Sequence, residues 1–480
     1  MISLKNTTLN SIIWTLIDVL FLKGLFFLTG IFLARILGPE EFGLIGMVAV
    51  FITVGKSLVD SGMSSSLIRS DTIDNEDLST VFLMNLGVSI LLYVIIYFSA
   101  PYVSIFFNQY ILTEILRVYC LTFIISAISA VQLAILSREM NFKKLTILNC
   151  PGTILAIITG VLLAYNGFGV WSIVWMYIIM HGILSILLWI SSNWKPSFQF
   201  SIKKMKIHFG FGYKLTVSAL LNNIFKNVYN IVIGKYFPVH ILGFYERAHS
   251  FNQYPASILT GIISKVSFPL LSKIKSDQNR VARIYKQILQ FTFFISAPLF
   301  LFAAVLAQPL FDLILGEEWA MSATFFQIFC FSFMLYPVQA FNINVLMVYG
   351  RSDLFLRLEI IKKSIILISI IIALPFGIYV LVWSSLVVAL LALIINTYYS
   401  AKMINYNLTS QLRDLFPFLI FAALSAFIMY LSTLLMDFNS LFLQIFSVGL
   451  IGVICYLILN SIFKTSPMQL VIKTIKDKIL

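Results

Sequence analysis

Nine ionisable side chains stand inside long apolar stretches of this 480-residue chain: Asp18, Lys23, Lys56, Asp60, Lys214, Lys226, Glu246, Arg247 and Lys265. An ionised group at the centre of a bilayer costs at least about 2.5 kcal/mol unless it faces water or a partner, so such residues mark a polar pathway. Six of the nine are basic, and a surplus of cations in a low-dielectric vestibule attracts an anion. Lys23 and Lys226 have no acid three or four residues away, which makes them the first candidates to bind an anionic substrate, with Lys56 and Arg247 beside them. Lys56 and Asp60 are also spaced as a simple i, i+4 ion pair. Lys214 and Lys265 lie close enough to the ends of their runs to reach the headgroups. Asn222, Asn223, Asn227 and Asn230 crowd around Lys226. Asn223 and Asn227 supply the paired donors and acceptors that sugar hydroxyls need, although amide networks between helices satisfy them equally. Asp18, Asp60 and Glu246 are the candidates for carrying a coupling proton or cation.

The elements that position these residues are set by composition. With 60% hydrophobic and 11% charged residues, the chain has more apolar surface than a water-soluble core could hide, so it is expected to be an integral membrane protein. A spanning helix needs about 20 apolar residues, and runs of that length follow one another almost without interruption. About fourteen transmembrane helices are predicted, an all-α polytopic fold. The first run is too long for a signal peptide and lacks a small-residue cleavage site, so it is expected to remain as a helix.

Basic residues orient the spans, because cytoplasmic loops carry the Lys/Arg excess. With the N-terminus inside, 24 of the 33 Lys and Arg fall on the cytoplasmic side, and only Arg35, Arg117 and Lys235 lie at the opposite edge. Both termini are therefore expected in the cytoplasm, and the basic loops are read as retention signals and anionic-lipid contacts.

The stretch "FGVWSIVW", from Phe168, returns at Phe376 as "FGIYVLVW". "CLTF" at Cys120 is echoed by "CFSF" at Cys330, and Arg35 with Gly43 by Lys235 with Gly243. Each echo links helices six places apart. Two six-helix pseudo-symmetric lobes are expected, 1–194 and 207–401, joined by a cytoplasmic linker, 195–206, and followed by two further helices and a basic tail in 402–480. Parallel lobes of this kind can rock about a midplane site, the geometry of alternating access. The embedded charges fall on the first, second, seventh and eighth helices, which are equivalent in the two lobes.

The four cysteines have no paired spacing, so neither a disulfide framework nor a metal site is indicated. His181, His208, His240 and His249 are scattered without a carboxylate constellation, and no catalytic residues are assigned. No nucleotide-binding loop is present; no cofactor and no nucleic-acid partner is expected.

"LARILGPEEFGLIGM" from Leu33 resembles the first outward turn of Wzx-type polysaccharide flippases in the multidrug/oligosaccharidyl-lipid/polysaccharide exporter superfamily. "DSGMSSSLIRS" from Asp60, "SFPLLSKIKSD" from Ser267 and "GEEW" from Gly316 resemble later landmarks of the branch that exports colanic-acid-like exopolysaccharides. The resemblance implies a flippase, not an enzyme, that moves undecaprenyl-pyrophosphate-linked repeat units across the bacterial inner membrane for exopolysaccharide, capsule or O-antigen synthesis. It implies membrane lipids and polysaccharide polymerase machinery as partners, and a pyrophosphate that meets the cationic cavity. The second-lobe turn, "KYFPVHILGFYERA", is less regular than the first. A peptidoglycan-precursor flippase or a multidrug antiporter of the same superfamily shares the fold and charge logic. A polysaccharide polymerase or ligase also handles such lipids, but needs an outer catalytic domain that these short outward turns do not offer.

Overall fold

The computed structural model describes residues 14, 21–60, 62–70, 72–197, 199–436, 438 and 440–479, with the backbone alone at Lys23, Val266, Lys478 and Ile479. Among these residues the chain is helical throughout, without a β-strand. It divides into two compact units, Met1–Gly243 and Phe244–Leu480.

The first unit begins with α1 (Lys23–Asp60), which holds two spans because Gly38, at φ 75°, breaks it and Pro39 restarts it. Proline fits a first helical turn, where its missing N–H would be unsatisfied anyway. Gly62, in the left-handed region, then turns the chain into the short α2 (Met63–Arg69). Helix α3 (Asn75–Phe107) opens with a reciprocal capping box between Asp74 and Asp77. The fourth span bends at Cys120 into α4 (Leu112–Tyr119) and α5 (Leu121–Arg138). Helices α6 (Phe142–Tyr165) and α7 (Trp171–Ser191) follow. The seventh span is α8 (Ile202–Lys226) and α9 (Val228–Tyr236), which meet at Asn227. It starts five residues before the expected lobe boundary at 207, because Ser201 caps it by accepting from the Lys204 N–H. One end of this unit is packed by Met63, Leu67, Val81, Phe82, Val131 and Ala134, with Trp189 and Trp194 against them.

Helix α10 (Val239–Ile274) carries its first turn in the first unit and the rest in the second. The second unit continues with α11 (Gln278–Val305), α12 (Ala307–Ile314), α13 (Ala320–Met334), α14 (Tyr336–Val348), α15 (Ser352–Ala373), α16 (Ile378–Ile404), α17 (Leu408–Leu435), α18 (Leu441–Ile462) and α19 (Ser466–Ile479). Its interior is aromatic, with Tyr285, Phe300, Phe311, Trp319, Phe325, Phe329 and Phe341 fully buried. Asn342 is a polar hub there: its Oδ1 accepts from Tyr285 Oη and Ser400 Oγ, each at 2.6 Å.

Eleven helices among the described residues are long and apolar enough to cross a membrane. One of these is the two-span α1, and the charge-bearing α8 with α9 and α15 take the seventh and eleventh places, so the order accommodates about fourteen spans. Large apolar side chains such as Phe98, Leu435 and Phe446 are exposed, on a protein whose outer surface is solvated by hydrocarbon rather than water. This is a multi-pass membrane protein. The repeated aromatic turns share a backbone reason: Gly169 and Gly377 both take positive φ, 53° and 91°, at the start of the sixth and twelfth spans.

Candidate substrate-binding site

Lys56 lies in the second half of α1 and is half-buried. Its ammonium donates to His181 Nε2 at 3.2 Å, and His181 sits midway along α7. The i, i+4 pairing with Asp60 does not form: Asp60 is exposed at the end of α1, and no carboxylate pairs with Lys56 among the described residues. Tyr177, one turn before His181, packs its ring 5.3 Å from Tyr119 and 5.4 Å from Phe26. The result is a cation within the second span with an imidazole as its polar partner.

Next to Lys56, the seventh span is fastened along the second. Asn223 Nδ2 donates to Ser57 Oγ at 2.5 Å and to the Thr53 carbonyl at 3.3 Å. Asn227 Nδ2 donates to Thr53 Oγ1 at 3.1 Å, and Asn230 to the Gly46 carbonyl at 3.5 Å. These amides are thus engaged between helices, the alternative to sugar contacts that the sequence left open. Such bonds average about 0.6 kcal/mol in membranes, so several together hold a seam that can still part.

The remaining expected residues divide by place. Lys226 ends α8 with its side chain exposed, just before the break at Asn227. The Lys23 side chain and the whole of Asp18 lie outside the described residues. Glu246 and Arg247 are partly buried on α10, in the second unit.

A second polar cluster escaped the sequence reading. His208, judged to stand without a carboxylate, is buried against one: its Nε2 meets Asp77 Oδ1 at 3.1 Å, and its Nδ1 meets Ser66 Oγ at 2.9 Å. Lys204 donates to Asp77 Oδ2 and Asp74 Oδ2, both at 2.9 Å. The cluster ties α8 to α2 and to the N-terminus of α3. The hydrogen bond from Lys204, with the Asp77 N–H, holds the Asp74 carboxyl down at about 2. Bonds to Asp77 and Asp74 push the Lys204 ammonium up. The one local signal was the acidic capping pattern before α3; its partners, some 130 residues away, have none.

Residues 32–324 match the family described as polysaccharide biosynthesis protein. The chain belongs to that family. Within it, the chain is 24% identical over 408 residues to the teichuronic acid biosynthesis protein TuaB of Bacillus subtilis (strain 168), covering 84% of each. It is 23% identical to the lipopolysaccharide biosynthesis protein WzxC of Escherichia coli (strain K12), covering 77% of this chain and 76% of that one. It is 25% identical to the succinoglycan biosynthesis transport protein ExoT of Rhizobium meliloti (strain 1021), over 66% of this chain and 64% of that one. Among solved structures, this polysaccharide biosynthesis protein has the fold of the lipid II flippase MurJ in an inward closed conformation, with a TM-score of 0.75, 18% identity, and 96% and 99% of the two chains covered. An inward-facing multidrug resistance MATE family transporter aligns with a TM-score of 0.62 and 16% identity over 82% of this chain and 98% of that one.

Proposed function

We propose that this protein is a flippase that carries lipid-linked oligosaccharide repeat units, held by their undecaprenyl pyrophosphate, from the inner to the outer leaflet of the bacterial cytoplasmic membrane. The observation that carries the reading is a cation within the second span, Lys56, with no carboxylate partner among the described residues, in a family whose relatives are named for polysaccharide biosynthesis and transport. A pyrophosphate supplies the missing negative charge. Lys226 and Lys23 are the further cations offered to it, and Asn223 and Asn227 become available to sugar hydroxyls when the seam between the second and seventh spans parts. Alternating access exposes this site to one leaflet and then the other, with both termini in the cytoplasm. Transport is the whole activity: the polymerase that consumes the outward product is a separate partner. Asp18, Asp60 and Glu246 are the carboxylates open to a coupling ion.

The test is complementation. Expression in strains that lack one polysaccharide flippase each should restore polymer at the cell surface and clear the lipid-linked intermediate that accumulates inside. Rescue of a strain depleted of its lipid II flippase, with no rescue of any polysaccharide strain, would move the assignment to the peptidoglycan precursor.

A further inference from the structure

We propose that Lys56 and His181 form one proton-linked anion site, in which the phosphate end of the substrate replaces the imidazole as the partner of Lys56 and His181 takes up a proton as the anion binds. The inference rests on the transport reading above and names the residue that completes its cation site.

Nζ and Nε2 are 3.2 Å apart. Lysine has only donors, so the imidazole nitrogen facing it must accept. The pair therefore holds one positive charge, and a second at that distance would meet direct Coulomb repulsion in a low-dielectric interior. A diphosphate reverses this. With at least two negative charges beside both nitrogens, an ammonium and an imidazolium can each donate to a phosphate oxygen, as charge-assisted bonds. The proton comes from solvent, and it returns there when the anion leaves.

The surroundings leave His181 free to act in this way. The charged group facing it is Lys56 from α1. The phenol of Tyr177 lies one turn earlier on α7, with that of Tyr119, from α4, beside it. Helix α6 approaches through Gly152, which sits against the Met180 carbonyl and the Leu184 nitrogen, and Cys150 is the nearest titratable residue along that helix. Helix α5 begins beyond Cys120 and bears no acid or base before Arg138. No carboxylate among the described residues pairs with Lys56 or His181. Both side chains are half-buried rather than sealed.

The experiment is calorimetry on the purified full-length protein with farnesyl diphosphate as the probe and farnesol as the control, in buffers of different ionisation heat. Wild type should take up close to one proton more per diphosphate than His181→Gln at about pH 7, near the ordinary histidine range. Its affinity should gain up to about tenfold more per unit of acidification between about pH 8 and about pH 6. The glutamine keeps an acceptor for Lys56 but cannot titrate, so its affinity at about pH 8 should match wild type. Lys56→Gln should bind at least about tenfold more weakly at every pH, the loss of a charge-assisted contact. Equal proton uptake in wild type and His181→Gln would overturn the proposal, as would wild-type affinity in Lys56→Gln. Should His181→Gln melt well below wild type, His181→Asn serves under the same criteria. Diphosphate binding by wild type without proton uptake, with export intact in the complementation strains, would sink this inference alone; no diphosphate binding together with no rescue of any strain would sink the transport reading.

Discussion

Gly43 and Gly243 each lie against the backbone of the helix that carries the other. A Cβ on Gly43 would fall 2.1 Å from the Val239 carbonyl oxygen, and one on Gly243 would fall 1.8 Å from that of Pro39. Val239 follows Pro39, and Gly243 follows Gly43, by the same number of residues, so the two contacts are images of each other under the sequence echo. Neither glycine can be replaced at this crossing without moving the helices apart. Gly43→Ala and Gly243→Ala should each destabilise the purified protein by about 1–3 kcal/mol, the cost of overpacking. Because the sites share one contact, the double variant should lose less than the total of the two. Thermal melting of the three proteins reads this out, and a melting point unchanged by either alanine would contradict the crossing.

The cluster of Asp74, Asp77, Lys204 and His208 makes a pH prediction with a defined sign. Asp74 is held down to about 2 from an ordinary 3.8, so its contribution is present above the ordinary carboxylate range and is lost as pH falls from there toward 2. Lys204 is raised above its ordinary 10.5, so its contribution is present below that value and fades as pH climbs through its higher folded value. Melting temperature should therefore sag at both extremes, and Lys204→Met should flatten the curve at both. His208→Leu should cost about 1–3 kcal/mol for each polar atom it strands, the Ser66 hydroxyl and one Asp77 oxygen among them. A His208→Leu protein as stable as wild type would mean that the cluster is not formed in the membrane.

Topology is tested by labelling. Cysteines placed at Asn166 and Pro375 should react with an impermeant reagent added from the periplasm, and cysteines at Asp277 and Ser352 should not. Outside labelling at Asp277 would invert the orientation read from the basic loops.

Lys226 separates binding from folding. It is exposed at the end of α8, so Lys226→Gln should leave abundance in the membrane unchanged. Export normalised to that abundance should fall about tenfold to a hundredfold if its ammonium contacts the diphosphate, the worth of one charge-assisted bond. Normal export would remove Lys226 from the site and leave Lys56 as its main cation.

What the sequence determined by itself was set by local physics. Spanning length and hydropathy act within a few turns of chain, so the membrane class and the order of about fourteen spans were legible before any contact was known. The cations of the second and seventh spans could be found as candidates for the same reason, since a charge in an apolar run is conspicuous wherever it points. Partners were not legible. Lys56 had an acid one turn away and took an imidazole 125 residues on; His208 looked isolated and met a carboxylate 131 residues back; the asparagines that suited sugars were used first by Thr53 and Ser57. Which helices lie side by side decides these pairings, and that choice is made by packing across the whole bundle, where small residues such as Gly43 and Gly243 let two backbones meet and so bring distant polar groups within reach.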